Sequence, residues 1–337
     1  MVTLADVAAR AGVSISAVSK VLSGDPSLRV TEPTRERIKA AALELNYRPN
    51  FAGRALKSAR TQVLGIVVPD LTNALFTDLM DGVEDAARQA GYVVLLGRSD
   101  DPRPDAEVYQ RLLGEGRVDG LIVQVVDGVA PDGLGALLEN NPPVVLINSV
   151  APGRVGSVLL DDVAGARLAT EHLLDLGHRD IALVNGLPTS LTAQRRQEGF
   201  RAALTAAGVS RRGLLETRLG YRPENGRAAL AEILQARRRP TGVVVANVNA
   251  AIGLLAEARA RGIRVPEDLS VATVHDSWTA ENTSPPLTAV SMRFYEMGRA
   301  AVETLVARLD SGTVRDVVVT DPPPQLVVRE STAAPAH

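Results

Sequence analysis

The 337-residue chain contains no cysteine and only four histidines. A disulfide framework and a thiolate metal site are therefore excluded, and few groups remain for imidazole-ligated metal or acid–base chemistry. The chain also lacks a basic start followed by an apolar run, and no stretch approaches eighteen uninterrupted apolar residues. A cytoplasmic protein with no membrane partner is expected. Lysine is confined to three positions, Lys20, Lys39 and Lys57. What is present, 45% hydrophobic and 23% charged residues over this length, describes a soluble globular chain of two or three domains.

Charge is unevenly distributed. Residues 1–60 hold 10 Lys+Arg against 5 Asp+Glu, a net of +5, whereas the rest hold 27 against 34, a net of -7. A basic head on an acidic body fits a phosphate-contacting module, although a solvated helical face would have the same composition. The stretch "ADVAARAGVSISAVSKVLSG", Ala5 to Gly24, repeats alanine and valine at three- and four-residue spacing on both sides of Gly12. This is the pattern of two short helices about a turn, with Thr3 and Asp6 capping the first and Ser14 the second. A third helix begins near Thr31, with a threonine cap, a proline in the first turn and Ile38, Ala41, Ala42 and Leu45 on one stripe. If Ser14 starts the second helix, Ile15, Ser16, Ser19 and Lys20 face outward while Val18, Val21 and Leu22 turn inward. The outward set could read a major groove; a plain helical hairpin would leave the basic surface unexplained.

These residues resemble the lactose-repressor (LacI/GalR) family of bacterial transcription regulators. "TLADVAARAGVS", "AVSKVLSG", "TRERIKAAALELNYRPN" and "GRALKS" occur in the family's order and spacing, and the likeness continues to "LVVRESTA" near the end. The resemblance implies DNA contacts by Thr3, Ser14, Ile15, Ser16, Ser19 and Lys20, with Ile15, Ser16 and Lys20 reading bases. It also implies a hinge helix over "NFAGRALKS" with Asn50, Arg54 and Leu56 at the DNA, Leu56 acting as a minor-groove wedge. Ala17 and Lys20 stand where the family more often has threonine and arginine, and Gly53 where relatives commonly have alanine. Lysine lacks the bidentate fork of arginine, so the operator preference of a relative does not transfer.

From Val63 short apolar strands alternate with amphipathic helices, as in "VLGIVVP", "TDLMDGVEDAARQAG", "YVVLLG", "AEVYQRLLGEG", "VDGLIVQ", "LGALLEN" and "PPVVLIN". A parallel sheet covered on both faces is implied. The theme restarts about 118 residues later at "RDIALVNGLPTSLTAQRRQEGFRAALTAAGV", which predicts two similar α/β lobes. The expected architecture is an N-terminal all-α helix-turn-helix DNA-binding domain (1–49), a hinge helix and linker (50–60) and a two-lobed periplasmic-binding-protein-like α/β domain for effector binding and dimerisation (61–337).

Ligands of open α/β sheets bind beyond the carboxyl ends of strands, which directs attention to the loops after "GIVVP", "VLIN", "ALVNG", "VVVAN" and "VATVHD". The family resemblance implies a small effector there, a sugar or sugar derivative, touching Phe76, Asp161, Arg196, Asn247 and the position of His275, with Asp276 and Trp278 adjoining. Arg196 offers a fixed fork of donors, or else forms a surface salt bridge with Glu198 or a neighbour. His275, where relatives commonly have aspartate, contacts the ligand or is a core histidine bonded to the backbone. Trp278 stacks on a sugar face or is a buried core indole. Val248 likewise replaces the aspartate that commonly follows the asparagine at 247.

Catalysis has little support. "GEGRVDG", Gly114 to Gly120, misses dinucleotide spacing and reads as a helix stop, no phosphate loop occurs, and His172 and His178 lack metal-ligand spacing and read as structural. No catalytic residue, cofactor or metal is assigned. The expected function is a homodimeric repressor whose affinity for double-stranded operator DNA is set by a carbohydrate effector. A solute-binding protein without a regulatory role is the alternative, and a sugar-modifying enzyme a third reading without a nameable nucleophile or carboxylate pair. No leucine heptads follow the body, so no coiled-coil device for a tetramer is expected.

Overall fold

The computed structural model describes residues 2–23, 29–48, 60–71, 73, 75–99, 107–125, 143–151, 155–210 and 214–336. These fall into two compact units, Met1–Thr61 and Gln62–His337. The hinge residues Asn50, Gly53, Arg54 and Leu56, and the helix expected at "LGALLEN", lie outside the described residues.

The first unit is three helices, α1 (Leu4–Ala11), α2 (Ile15–Leu22) and α3 (Glu32–Glu44). Thr3 and Asp6 form a reciprocal capping box at the start of α1, and the Ser14 hydroxyl accepts from the Ala17 amide at the start of α2. Between them Gly12 adopts φ 64°, a left-handed conformation that a side chain would strain. Thr31 occupies the cap position of α3, yet its hydroxyl bonds that of Thr34 instead of a backbone amide, so the expected threonine cap is only positional. Val7, Ala8, Ala11, Val18, Val21, Ile38, Ala41 and Ala42 close a small core, with Leu22 and Leu45 packed half-buried against it.

The second unit contains two six-stranded sheets. In chain order the elements are β1 (Val63–Val68), α4 (Phe76–Gln89), β2 (Val93–Arg98), α5 (Glu107–Tyr109, widening into a π-turn over Gln110–Gly114), β3 (Gly120–Gln124), β4 (Val144–Ile147) and β5 (Gly156–Leu160). The second sheet follows with α6 (Asp162–Asp175), β6 (Ile181–Asn185), α7 (Leu191–Ala206), β7 (Glu216–Arg218), α8 (Pro223–Gln235), β8 (Gly242–Val245), α9 (Val248–Ala260), β9 (Ser270–Val274), α10 (Trp278–Glu281) and β10 (Thr288–Ser291). The chain then returns through α11 (Phe294–Ser311) and β11 (Asp316–Val319) before β12 (Gln325–Val327).

Strand order is β11-β5-β4-β3-β1-β2 in one sheet and β12-β10-β9-β8-β6-β7 in the other, with every pairing parallel except β10 with β12. The near-continuous Val, Leu and Ile runs of the inner strands match their burial on both faces. The alternating pattern foretells these two lobes. It does not foretell that β11 rejoins the first sheet after the second is built, so that the chain passes between lobes three times, after β5, after β10 and after β11.

Candidate functional site

In the first unit, α2 presents its N-terminal half to solvent. Ile15 and Ser16 are exposed, Ser19 and Lys20 half-buried, while Val18 and Val21 are buried in the core. Thr3 and Ser14 are exposed and engaged as caps. An isoleucine left in water on the outer face of a recognition-type helix gains nothing for the fold and is available to a partner. Asn50, Arg54 and Leu56 lie outside the described residues.

In the second unit a cavity of about 340 Å³ opens between the two sheets. Its wall includes Pro69 and Asp70 after β1, Gln124 at the end of β3 and Val125 after it, Leu187 after β6 and Asn247 after β8. β1 and β3 are neighbours in the first sheet, and β6 and β8 in the second; each pair is where strand order reverses. The cavity thus lies at both topological switch points, where helices leave opposite sheet faces and the loops part.

Arg196, on the first turns of α7, is only 3% exposed. Its Nε donates to Asp162 Oδ1 at 2.8 Å, its Nη1 to the Ala246 carbonyl at 2.7 Å and its Nη2 to His275 Nε2 at 2.9 Å. The Tyr221 ring lies 5.3 Å from the guanidinium carbon, in cation–π range. The surface salt bridge with Glu198 does not form; the partner is Asp162, itself 1% exposed. Burial pushes the Asp162 carboxyl up despite the arginine beside it. Its second oxygen has no hydrogen-bond partner among the described residues.

His275 is 2% exposed and follows β9 with φ 77°, a left-handed backbone that costs a non-glycine residue about 1 kcal/mol or more. It is held by side-chain contacts, Arg196 on Nε2 and the Phe294 ring edge-on at 5.0 Å, and not by the backbone bond considered from sequence. Burial and the neighbouring Arg196 charge hold its pKa well below the usual imidazole range, so the ring is neutral. Asn247 caps α9, its Oδ1 accepting from the Asn249 amide at 2.7 Å.

Phe76, Arg196, Asn247 and His275 therefore meet on one cavity wall. Asp161, Asp276 and Trp278 are not in that wall. Asp161 caps α6 through the Ala164 amide, Asp276 is clamped by both Arg329 Nη atoms at 2.7 and 3.0 Å, and Trp278 is 65% exposed, neither a core indole nor a cleft residue here. Asp162 and Tyr221 escaped the sequence reading. Asp162 stands beside an equivalent carboxylate, and nothing in one dimension says which of the two is buried. His172 and His178 are structural in the geometry, binding Thr332, Thr241 and the Ala333 carbonyl. No helix among the described residues is long and apolar enough to cross a membrane.

Comparison with known proteins gives two family matches, "Bacterial regulatory proteins, lacI family" over residues 3–50 and "Periplasmic binding protein-like domain" over residues 170–332. The HTH-type transcriptional regulator DegA of Bacillus subtilis is 33% identical over 337 residues, 98% of each chain. Among solved structures, the lac repressor dimer bound to operator and an anti-inducer superposes with a TM-score of 0.82 at 28% identity, covering 99% of each chain. The complex of the transcriptional regulator CelR with cellobiose gives 0.71 at 30% identity, covering 98% of this chain and 100% of that one.

Proposed function

Because the chain belongs to the LacI family of bacterial regulatory proteins, a family of DNA-binding transcriptional regulators, we propose that it is a homodimeric repressor whose operator affinity is set by a carbohydrate effector in the cleft between its lobes. The observation that carries the reading is the union, in one chain, of an exposed recognition-type helix with a buried Arg196–Asn247–His275 constellation at the sheets' switch points. The operator-bound and cellobiose-bound structures of similar proteins support the two halves of this reading.

Coupling requires the effector to prefer one of two dimer states, because equal affinity for both shifts nothing. Self-association is supported by β2, an edge strand that leaves Val93, Leu95 and Leu96 exposed. Such an apolar edge is unfavourable in water and invites a second copy. The effector contacts proposed are Phe76, Arg196, Asn247 and His275; the base contacts are Ile15, Ser16 and Lys20.

Binding-site selection on wild type and Lys20→Ala tests the DNA half. Operator affinity is expected to fall steeply with salt, and the variant to change the base preferred within each half-site. Retention of every wild-type base preference with no loss of affinity would remove Lys20 from the reading set. A chain without operator binding at any salt would return the solute-binding alternative.

A further inference from the structure

From the hydrogen-bond polarity at the inner end of the cleft, we infer that the effector presents a hydrogen-free acceptor oxygen there, the carbonyl of a sugar lactone or the carboxylate of a sugar acid, in preference to a hydroxyl. This rests on the effector reading of the cleft. Arginine can only donate, so the 2.9 Å contact from Arg196 Nη2 makes His275 Nε2 an acceptor. The ring is neutral, and its single proton therefore sits on Nδ1.

Asn247 is oriented just as firmly. Its Oδ1 accepts from the Asn249 amide, which turns the Nδ2 amino group toward His275 Nδ1 at 3.5 Å. Two N–H donors thus converge on one place in the cavity wall, and neither can serve the other. One acceptor atom shared between them satisfies both. The start of α9 at Asn247 adds the positive end of a helix dipole to the same place.

The acceptors within the Arg196–Asn247–His275 cluster are engaged: Ala246 O by Arg196 Nη1, Asn247 Oδ1 by the Asn249 amide and His275 Nε2 by Arg196 Nη2. A ligand hydroxyl could take the two donors, but none of these three acceptors is open to its own hydrogen. A carbonyl or carboxylate oxygen brings no such hydrogen. An aspartate at 275 would invert this, offering an acceptor to hydroxyl ligands; the histidine offers a donor.

The test measures affinity of the full-length protein by calorimetry across matched pentose and hexose series, each comprising alditol, aldose, 1,4-lactone and aldonate. In a series that binds, the lactone or the aldonate is expected to bind at least tenfold more tightly than the aldose and alditol, and comparison of those two arms tells neutral carbonyl from carboxylate. His275→Asp is expected to move the lactone-to-aldose ratio at least tenfold toward the aldose, a change that loss of folding cannot mimic. An aldose or alditol bound as tightly as its lactone and aldonate in the wild type overturns the inference while leaving the carbohydrate reading intact. Failure of every member of every series to bind or to alter operator affinity overturns the carbohydrate reading, and the inference with it.

Discussion

The two lobes of the larger unit share one strand order, β2-β1-β3-β4-β5 matching β7-β6-β8-β9-β10, yet they are finished differently. The first ends its sheet on β2, which leaves Val93, Leu95 and Leu96 exposed; the second ends on the short polar β7, Glu-Thr-Arg. The second lobe also holds Asp162, Arg196, Asn247 and His275, the buried polar cluster of the cleft, to which the first contributes Phe76 and loop residues. A duplicated topology has been divided by burial pattern. The lobe with the apolar edge is suited to self-association, and the one with the buried polar network to discrimination among ligands.

Charging the apolar edge is the severest way to break that division. Val93→Asp with Leu95→Asp places four like-signed groups across a two-fold interface, where repulsion costs several kcal/mol. Sedimentation should show the dimer dissociation constant raised about a thousandfold, near 4 kcal/mol, with operator affinity falling in parallel. An unchanged dimer would move the interface off β2.

Arg196→Met strikes the second lobe by leaving Asp162 buried without its counter-charge, a change that costs about 3–5 kcal/mol. Denaturant unfolding should show that loss, and effector response should vanish. The double variant Arg196→Met with Asp162→Leu is expected to regain most of the stability and none of the response, separating folding from recognition.

Backbone contact between helices offers a matched comparison. A Cβ on Gly82 of α4 would stand 2.0 Å from the Tyr295 carbonyl oxygen in the first lobe, and one on Gly199 of α7 would stand 2.1 Å from that of Val163 in the second. Each alanine variant is expected to lower stability by about 1–3 kcal/mol, the cost of forcing two packed helices apart. Thermal melts of the pair should agree, and a large inequality would show one lobe to be the more deformable.

The smallest effect is on acid stability. His172, His178 and His275, all in the second lobe, are each held below the ordinary imidazole pKa by burial. Above the unfolded value near 6.5 both states are neutral and nothing is lost. As pH falls below it, the unfolded chain binds protons that the folded chain refuses, so stability declines toward the depressed folded values. Asp162, raised by burial, opposes this, because the folded state takes up that proton first as pH falls. A melting temperature lower at pH 5.5 than at 7.5 is expected, with amide exchange rising first in β6 and β9; equal melting temperatures would count against the burial of these rings.

Much of this was legible in the chain because it is local. The caps of α1 and α2, the turn at Gly12 and the restart of the strand–helix pattern at Arg179 are decided by residues within a few positions of one another. Of the four cleft residues that do meet, Asn247 and His275 stand just beyond strand ends, where the fold class directs a search, and Phe76 and Arg196 lie on the helices that follow β1 and β6. Illegible features depend on distant partners. Asp276 reads as a ligand group until Arg329, 53 residues on, clamps it. Asp162 reads as one more carboxylate until Arg196 arrives from 34 residues away. Trp278 reads as core or stacking surface, and the fold leaves it in water.

The three passages of chain between the lobes, after β5, after β10 and after β11, bear on how the lobes can move. One strand of chain between two bodies is a swivel, and two define an axis but still allow shear along it. Three tethers leaving side by side act as a flexure, compliant to bending and stiff to sliding and torsion. A ligand bound between the lobes of such a frame would be read out as one angle, and a substitution that stiffened or loosened a tether would change the gain of the device without touching the ligand.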